Sequence, residues 1–129
     1  MKQAGGLTVL VVDDYADTRE LIRALLEMKG CRVVEAANGQ EAVNIAARTA
    51  FSFILMDLEM PVLNGYDATR EILSHPKTKA VPIIAFSANC NREWQQRAFD
   101  AGCTGCIPKP VDFTLIDGLV SRYSSNMVD

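Results

Sequence analysis

Five polar side chains that can act on a charged ligand follow apolar segments of the chain. They are three acids, a hydroxyl and an amine: Asp13, Asp14, Asp57, Ser87 and Lys109. A carboxylate can act as a nucleophile, a hydroxyl can donate to an oxyanion, and an ammonium can neutralise its charge. Singly, an acid or a serine there is more often a cap or turn residue, and a lysine a solvated charge. The specific observation is their succession at the ends of apolar segments.

Clustered carboxylates need a counter-charge. Two unit charges ~4 Å apart repel by about 4 kcal/mol at an effective dielectric constant of about 20. A site of oxygen ligands with few protein groups suits Mg²⁺. Lys109 can then hold a phosphoryl group, Ser87 can donate to one of its oxygens, and Asp57 remains as the nucleophile that forms an aspartyl phosphate.

The elements that must position these residues alternate regularly along the chain. The apolar runs predict strands at 7–12, 31–36, 52–57, 81–86 and 105–108, and helical spacing predicts helices at about 15–29, 40–48, 66–74, 91–100 and 112–123. This alternation predicts an α/β fold, a (βα)5 doubly wound parallel sheet with helices on both faces. In the strand order 2-1-3-4-5, the strands that end at Asp13 and Asp57 are neighbours at the switch point, where ligands bind.

The first helix illustrates the local predictions. Asp14 or Asp17 is expected to cap its N-terminus. Four residues at helical spacing are expected to lie on its inner stripe: Leu21, Ile22, Leu25 and Leu26.

Length and composition predict one domain over residues 1–129, with a core of about 7–123 and tails at 1–6 and 124–129. The chain has 129 residues, 49% of them hydrophobic, and a formal net charge of −3. This charge argues against direct binding to nucleic acid or to an anionic membrane. The chain has no apolar run of membrane-spanning length and no signal-peptide pattern at its start, so we expect a cytoplasmic location.

The four cysteines leave two alternatives open. Cys103 and Cys106 form a C-x2-C pair, which is found in redox motifs and in half of a zinc site. A second such pair is absent, and Cys31 and Cys90 lie far apart in sequence. Packed thiols are the favoured interpretation.

Four segments together resemble the receiver domain of two-component response regulators, the CheY-like family, across essentially the whole chain. They are Val-Val-Asp-Asp at 11–14, Met-Asp-Leu-Glu-Met-Pro at 56–61 with Asn64-Gly65, Ala-Phe-Ser-Ala at 85–88, and Pro-Lys-Pro at 108–110. The resemblance implies a flavodoxin-like strand order. It also implies that Asp57 accepts phosphate from a phosphohistidine on a sensor histidine kinase or a histidine phosphotransfer protein.

The resemblance also assigns a metal site. It implies Mg²⁺, with Mn²⁺ as a possible substitute, held by the side chain of Asp13, by Asp14 through water, by Asp57 and by the backbone carbonyl of Glu59. Ser87 would be the hydroxyl that follows the phosphoryl group.

Further implications concern the fifth strand and the switch. Lys109 would be the counter-ion of the phosphoryl group, and the Lys109–Pro110 bond would be cis. The family commonly has an aromatic residue three positions before this lysine, where this chain has Cys106. We therefore expect signalling through the face of helix 4, strand 5 and helix 5 to be muted or differently built. Glu59 and Asn89 are expected to set the lifetime of the aspartyl phosphate.

The leading interpretation is a receiver that catalyses only its own phosphorylation and dephosphorylation, and regulates a protein partner by a change of surface. The alternative is a receiver-like interaction module that works without phosphorylation. A phosphatase of the haloacid-dehalogenase type needs a second Asp two residues after the nucleophile, where this chain has Glu59. A flavodoxin is disfavoured because Asp13 and Asp14 would repel a flavin phosphate.

Overall fold

The computed structural model describes residues 6–125, in which five strands alternate with five helices. The strands are β1 Thr8–Val12, β2 Arg32–Ala36, β3 Phe53–Asp57, β4 Ile83–Ser87 and β5 Gly105–Pro108. The helices are α1 Ala16–Met28, α2 Gly39–Ala46, α3 Gly65–Leu73, α4 Arg92–Ala101 and α5 Phe113–Ser125.

The strands form one parallel sheet in the order β2-β1-β3-β4-β5, which confirms the predicted topology. Every residue of β3 and β4 is buried, because helices cover both faces of the sheet. Residues of α2, α3 and α4 form one apolar cluster with the sheet, and residues of α1 and α5 form a second. The core is therefore two layers separated by the strands, and the strand ends remain at the edge.

Two predictions for the first helix are wrong. Tyr15 is the N-cap residue of α1, and no side chain caps it, so neither Asp14 nor Asp17 has that role. The backbone N–H of Tyr15 instead donates to Asp13 Oδ1 at 2.8 Å. Leu21 is 53% exposed, because the buried stripe consists of Ile22, Leu25 and Leu26, and Leu21 lies beside it.

The last helix extends two residues beyond its predicted end near Tyr123 and includes Ser124 and Ser125. Residues 1–5 and 126–129, which make up most of the two predicted tails, lie outside the described residues. Within residues 6–125, none of the helices is both long enough and apolar enough to span a bilayer.

Candidate functional site

The predicted polar residues meet at the carboxyl edge of the sheet. Asp57 and Ser87 are the last residues of β3 and β4, while Asp13 and Lys109 directly follow β1 and β5. Parallel register brings these ends to one edge, since Asp57 pairs with Phe86 and Ser87 pairs with Pro108. The sheet thus gathers residues that are up to 96 positions apart, from Asp13 to Lys109.

Three carboxylates form the acidic part of the site. Oxygen atoms of Asp13, Asp14 and Asp57 lie within 4.8 Å of one another. Asp13 and Asp57 are buried, whereas Asp14 is exposed. A compact group of carboxylate oxygens with an exposed member is a fitting donor set for a hard divalent cation that keeps part of its water shell. The residues present therefore fit the Mg²⁺ that the sequence predicts.

Lys109 extends from the end of β5 to two of these acids. Its Nζ lies 3.0 Å from Asp13 Oδ2 and 3.4 Å from Asp57 Oδ2, and 5.1 Å from the centroid of the Phe86 ring. Burial alone would lower the pKa of Lys109, but the pairing with Asp13 and Asp57 outweighs it and raises that pKa. The lysine is therefore a permanent positive charge beside Asp57. The Lys109–Pro110 peptide bond is cis, as predicted.

The pKa of the Asp57 carboxyl group is unusually high for an aspartate. Burial, followed by repulsion from Asp13, raises its pKa to about 6, against the opposing attraction of Lys109. The backbone N–H of Glu59, which lies 3.3 Å from Asp57 Oδ1, also favours the charged form. A carboxylate with a raised pKa is a more basic and more nucleophilic oxygen donor than a surface aspartate.

Ser87 is almost fully buried, and the proton of its hydroxyl is free to form a hydrogen bond. Its Oγ accepts the backbone N–H of Asn89 at 3.1 Å, and its carbonyl accepts the N–H of Lys109 at 2.9 Å. Since the hydroxyl accepts from Asn89, its own proton remains available for an oxygen atom in the site. The two residues predicted to set the phosphate lifetime, Glu59 and Asn89, are both exposed in the loops that follow β3 and β4.

A glycine lets the chain return close to Asp57. A Cβ built on Gly65, the first residue of α3, would lie 2.2 Å from the Asp57 carbonyl oxygen. The N–H of Gly65 also donates to the Leu58 carbonyl at 3.0 Å. The loop between β3 and α3 is therefore held directly against the strand end that carries the acid.

The structure pairs a cysteine that sequence reasoning left unpartnered. Cys106 Sγ lies 2.9 Å from the Sγ of Cys90, in the loop between β4 and α4. Cys103, the other member of the C-x2-C pair, is buried and contacts Thr69 Oγ1 at 3.8 Å instead. The positions of the two cysteines in the sequence could have indicated this contact. Cys90 lies three residues after Ser87, at the end of β4, and Cys106 lies on the neighbouring strand.

Comparison with known proteins gives the family. The model of the response regulator receiver domain matches residues 9–121. An uncharacterized 14.6 kDa protein of Leptolyngbya boryana is 33% identical over 123 residues, which cover 95% of this chain and 94% of that protein. The receiver domain of the sensor histidine kinase PA1611 from Pseudomonas aeruginosa, solved with a magnesium ion coordinated in the active site cleft, has a TM-score of 0.85 and 34% identity, and the match covers 92% of this chain and 98% of that one.

Other relatives show the settings in which such domains occur. The receiver domain of the response regulator Ssk1 of Saccharomyces cerevisiae, solved with the histidine phosphotransfer protein Ypd1, matches with a TM-score of 0.86 and 26% identity over 96% of this chain and 90% of that one. The chain is also 32% identical to part of the hybrid signal transduction histidine kinase L of Dictyostelium discoideum, but it spans only 7% of that protein. The fold, the site and the family match agree: the chain belongs to the response regulator receiver domains of two-component signalling.

Proposed function

We propose that Asp57 accepts a phosphoryl group from a phosphohistidine on a sensor histidine kinase or a histidine phosphotransfer protein. An oxygen of the Asp57 carboxylate bonds to phosphorus as the bond between phosphorus and the donor imidazole nitrogen breaks. The electron pair of that bond stays with the imidazole. The observation that carries the proposal is the buried Asp57 beside Lys109 Nζ, with two further acids within 4.8 Å.

The other residues of the site position and neutralise the transferred group. Lys109 holds a positive charge beside the attacking oxygen, and the Ser87 hydroxyl donates to an oxygen of the phosphoryl group. Mg²⁺, or Mn²⁺ in its place, would be held by Asp13, by Asp14 through water, by Asp57 and by the Glu59 backbone carbonyl. When bound, the cation supplies the charge that carboxylates and phosphoryl oxygens need to lie close together.

The phosphorylated state is proposed to end by hydrolysis within the same site. Glu59 and Asn89 are exposed at the rim of the strand ends that carry Asp57 and Ser87, so their side chains can orient or exclude the attacking water. The chain would thus catalyse only its own phosphorylation and dephosphorylation.

The proposed output is a changed surface on α4, β5 and α5, read by a protein partner in the cytoplasm. The loop between β4 and α4 begins directly after Ser87, and Lys109 directly follows β5. Movement of either residue toward a phosphoryl group therefore displaces this face. With Cys106 in place of an aromatic residue, we expect the loop to move with little change at Cys106, which amide exchange with and without phosphorylation would test.

Phosphorylation by a small donor tests the proposal. Incubation with acetyl phosphate and Mg²⁺, followed by intact mass spectrometry, is expected to add one phosphoryl group to the protein and none to Asp57→Asn. Chelation with EDTA should prevent the adduct. Absence of any adduct from acetyl phosphate or from a phosphohistidine donor would favour the phosphorylation-independent interaction module, and continuous release of phosphate at high turnover would favour an enzyme.

A further inference from the structure

Two thiols lie in contact beside the acceptor site, across the gap between a loop and a strand. Cys90 is in the connection between β4 and α4, and Cys106 is in β5; both are half-buried free thiols. Their Sγ atoms are 2.9 Å apart. A disulfide bond is about 2.05 Å long, so the sulfurs need to approach by about 0.9 Å to bond.

The surroundings single out this pair among the four cysteines. Cys31, directly before β2, and Cys103, after α4, are both buried, and Cys103 contacts the Thr69 hydroxyl. The loop side of the pair is held in place, since Gln95 Nε2 donates to the carbonyl of Cys90 at 2.6 Å. Proximity and partial exposure therefore coincide only at Cys90 and Cys106 within residues 6–125.

We propose that Cys90 and Cys106 form a redox-active thiol pair that a peroxide oxidises to an intramolecular disulfide. The Cys90 thiol releases its proton, and its sulfur attacks one peroxide oxygen. The O–O bond breaks to give a Cys90 sulfenic acid and hydroxide, which takes up the released proton to form water. The Cys106 sulfur then bonds to the Cys90 sulfur and expels hydroxide, which takes the Cys106 proton to form a second water. The two thiols lose two electrons and two protons, and the peroxide is reduced.

Packing distinguishes the two sulfurs and assigns the order of these steps. Cys106 packs against the apolar cluster that includes residues of α2, α3 and α4, whereas Cys90 lies in the loop that also contains the exposed Asn89. Burial, together with the neighbouring Cys90 thiol, raises the pKa of Cys106 above that of an ordinary thiol, so Cys106 keeps its proton at neutral pH. Because the thiolate is the reactive form, Cys106 is a poor first nucleophile. Cys90 is therefore the thiol that meets the oxidant, and Cys106 is the thiol that resolves the sulfenic acid.

The bond would tether the loop of residues 88–91 to β5. This loop begins directly after Ser87 and contains Asn89, whose N–H binds the Ser87 hydroxyl. A covalent link from Cys90 to the strand restricts the movement of that hydroxyl toward a phosphoryl group. This consequence, which rests on the proposed function, is a weaker response of the loop to phosphorylation in the oxidised protein.

Mass spectrometry without any phosphodonor tests the pair itself. Stoichiometric hydrogen peroxide is expected to lower the mass of the monomer by two hydrogens, to yield one peptide cross-linked through Cys90 and Cys106, and to be reversed by dithiothreitol. Cys31→Ala and Cys103→Ala should keep the cross-link. An unchanged thiol count, a cross-link through Cys31 or Cys103, or a dimer joined through Cys90 would overturn the proposal.

Two single variants test the order of steps. In Cys106→Ser, Cys90 sulfenic acid should persist and be trapped by dimedone, whereas in Cys90→Ser the same peroxide dose should leave Cys106 reduced. Trapping at Cys106 with no trapping at Cys90 would contradict the order.

Amide exchange over residues 88–91 measures the restriction of the loop. The exchange should slow about tenfold on oxidation and recover on reduction. Equal exchange rates in both states would contradict the proposed restriction. Phosphate uptake is measured separately on the reduced protein. A result that contradicts the phosphorylation of Asp57 is thereby distinguished from one that contradicts the Cys90–Cys106 disulfide.

Discussion

Lys109 Nζ lies 3.4 Å from Asp57 Oδ2, although β5 and β3 are not neighbours in the sheet. The lysine side chain crosses the end of β4, with its ammonium 5.1 Å from the centroid of the Phe86 ring. A positive charge is thereby placed beside the Asp57 carboxylate, the proposed phosphate acceptor, by a residue that is not on an adjacent strand. The predicted effects of changing the charges at this site follow from this contact.

Removal of the Lys109 charge should slow phosphorylation. We expect Lys109→Ala to take up phosphate from acetyl phosphate about a hundredfold more slowly, the scale found when one stabilising group is removed from a reacting site. The rate is measured by intact mass at fixed Mg²⁺. Lys29→Ala is the matched control, because Lys29 is also in an ion pair. It directly follows α1 and pairs with Asp117 of α5, not with an acid of the site. Equal rates for the two variants would contradict the role of Lys109.

Removal of one acid should weaken cation binding and lower the pKa of Asp57. In Asp13→Asn the amide oxygen can still accept the Tyr15 N–H, but the repulsion that raises the pKa of Asp57 is absent. NMR titration of Asp57 without divalent cations should therefore give a value below about 6. Calorimetry should show at least about a tenfold loss of Mg²⁺ affinity, the loss typical of outer-shell partners alone. Asp17→Asn, an exposed change of the same charge, should alter neither quantity.

Stability should depend on pH through Asp57. Its pKa is about 6 in the folded protein and 3.8 for an ordinary aspartate, so the folded protein binds more protons between these values. The free energy of unfolding then falls as the pH rises through this window, by on the order of 3 kcal/mol, since one pKa unit is about 1.4 kcal/mol. In urea unfolding without divalent cations, the free energy of unfolding of Asp57→Asn should therefore rise relative to that of the wild type as the pH increases from 4 to 6. Parallel curves of unfolding free energy against pH for the two proteins would contradict this prediction. Added Mg²⁺ should reduce the difference in unfolding free energy between them.

A methyl group at Gly65 should disturb the acid directly. Its Cβ would lie 2.2 Å from the Asp57 carbonyl oxygen, so the backbone must shift. We expect Gly65→Ala to cost about 1–3 kcal/mol in urea unfolding and to reduce phosphate uptake. Gly118→Ala, with nothing within 4 Å of the new Cβ in α5, should instead stabilise by roughly 0.5–1 kcal/mol. Similar effects of the two substitutions would contradict the close approach.

Local patterns were sufficient to predict the strands and the residues at their ends. A continuous apolar run that ends in Asp57 predicts a buried strand and an acid at its end, because both properties belong to adjacent residues. Parallel pairing then brings Asp57, Ser87 and Lys109 to one edge, whatever the connecting helices contain. The wrong predictions, the cap of α1 and the burial of Leu21, depend on a loop conformation and on helix rotation, which propensity constrains weakly.

The sequence by itself determined the element order, the sheet and the set of polar residues that meet at its carboxyl edge, since strand periodicity and the geometry of parallel sheets leave few alternatives. Tertiary structure decided the quantities that depend on distance. These are the raised pKa of Asp57, which requires its burial and the approach of Asp13, and the contact between Cys90 and Cys106. That contact joins an irregular loop to a strand, and neither the composition nor the spacing of a loop specifies where its side chains point.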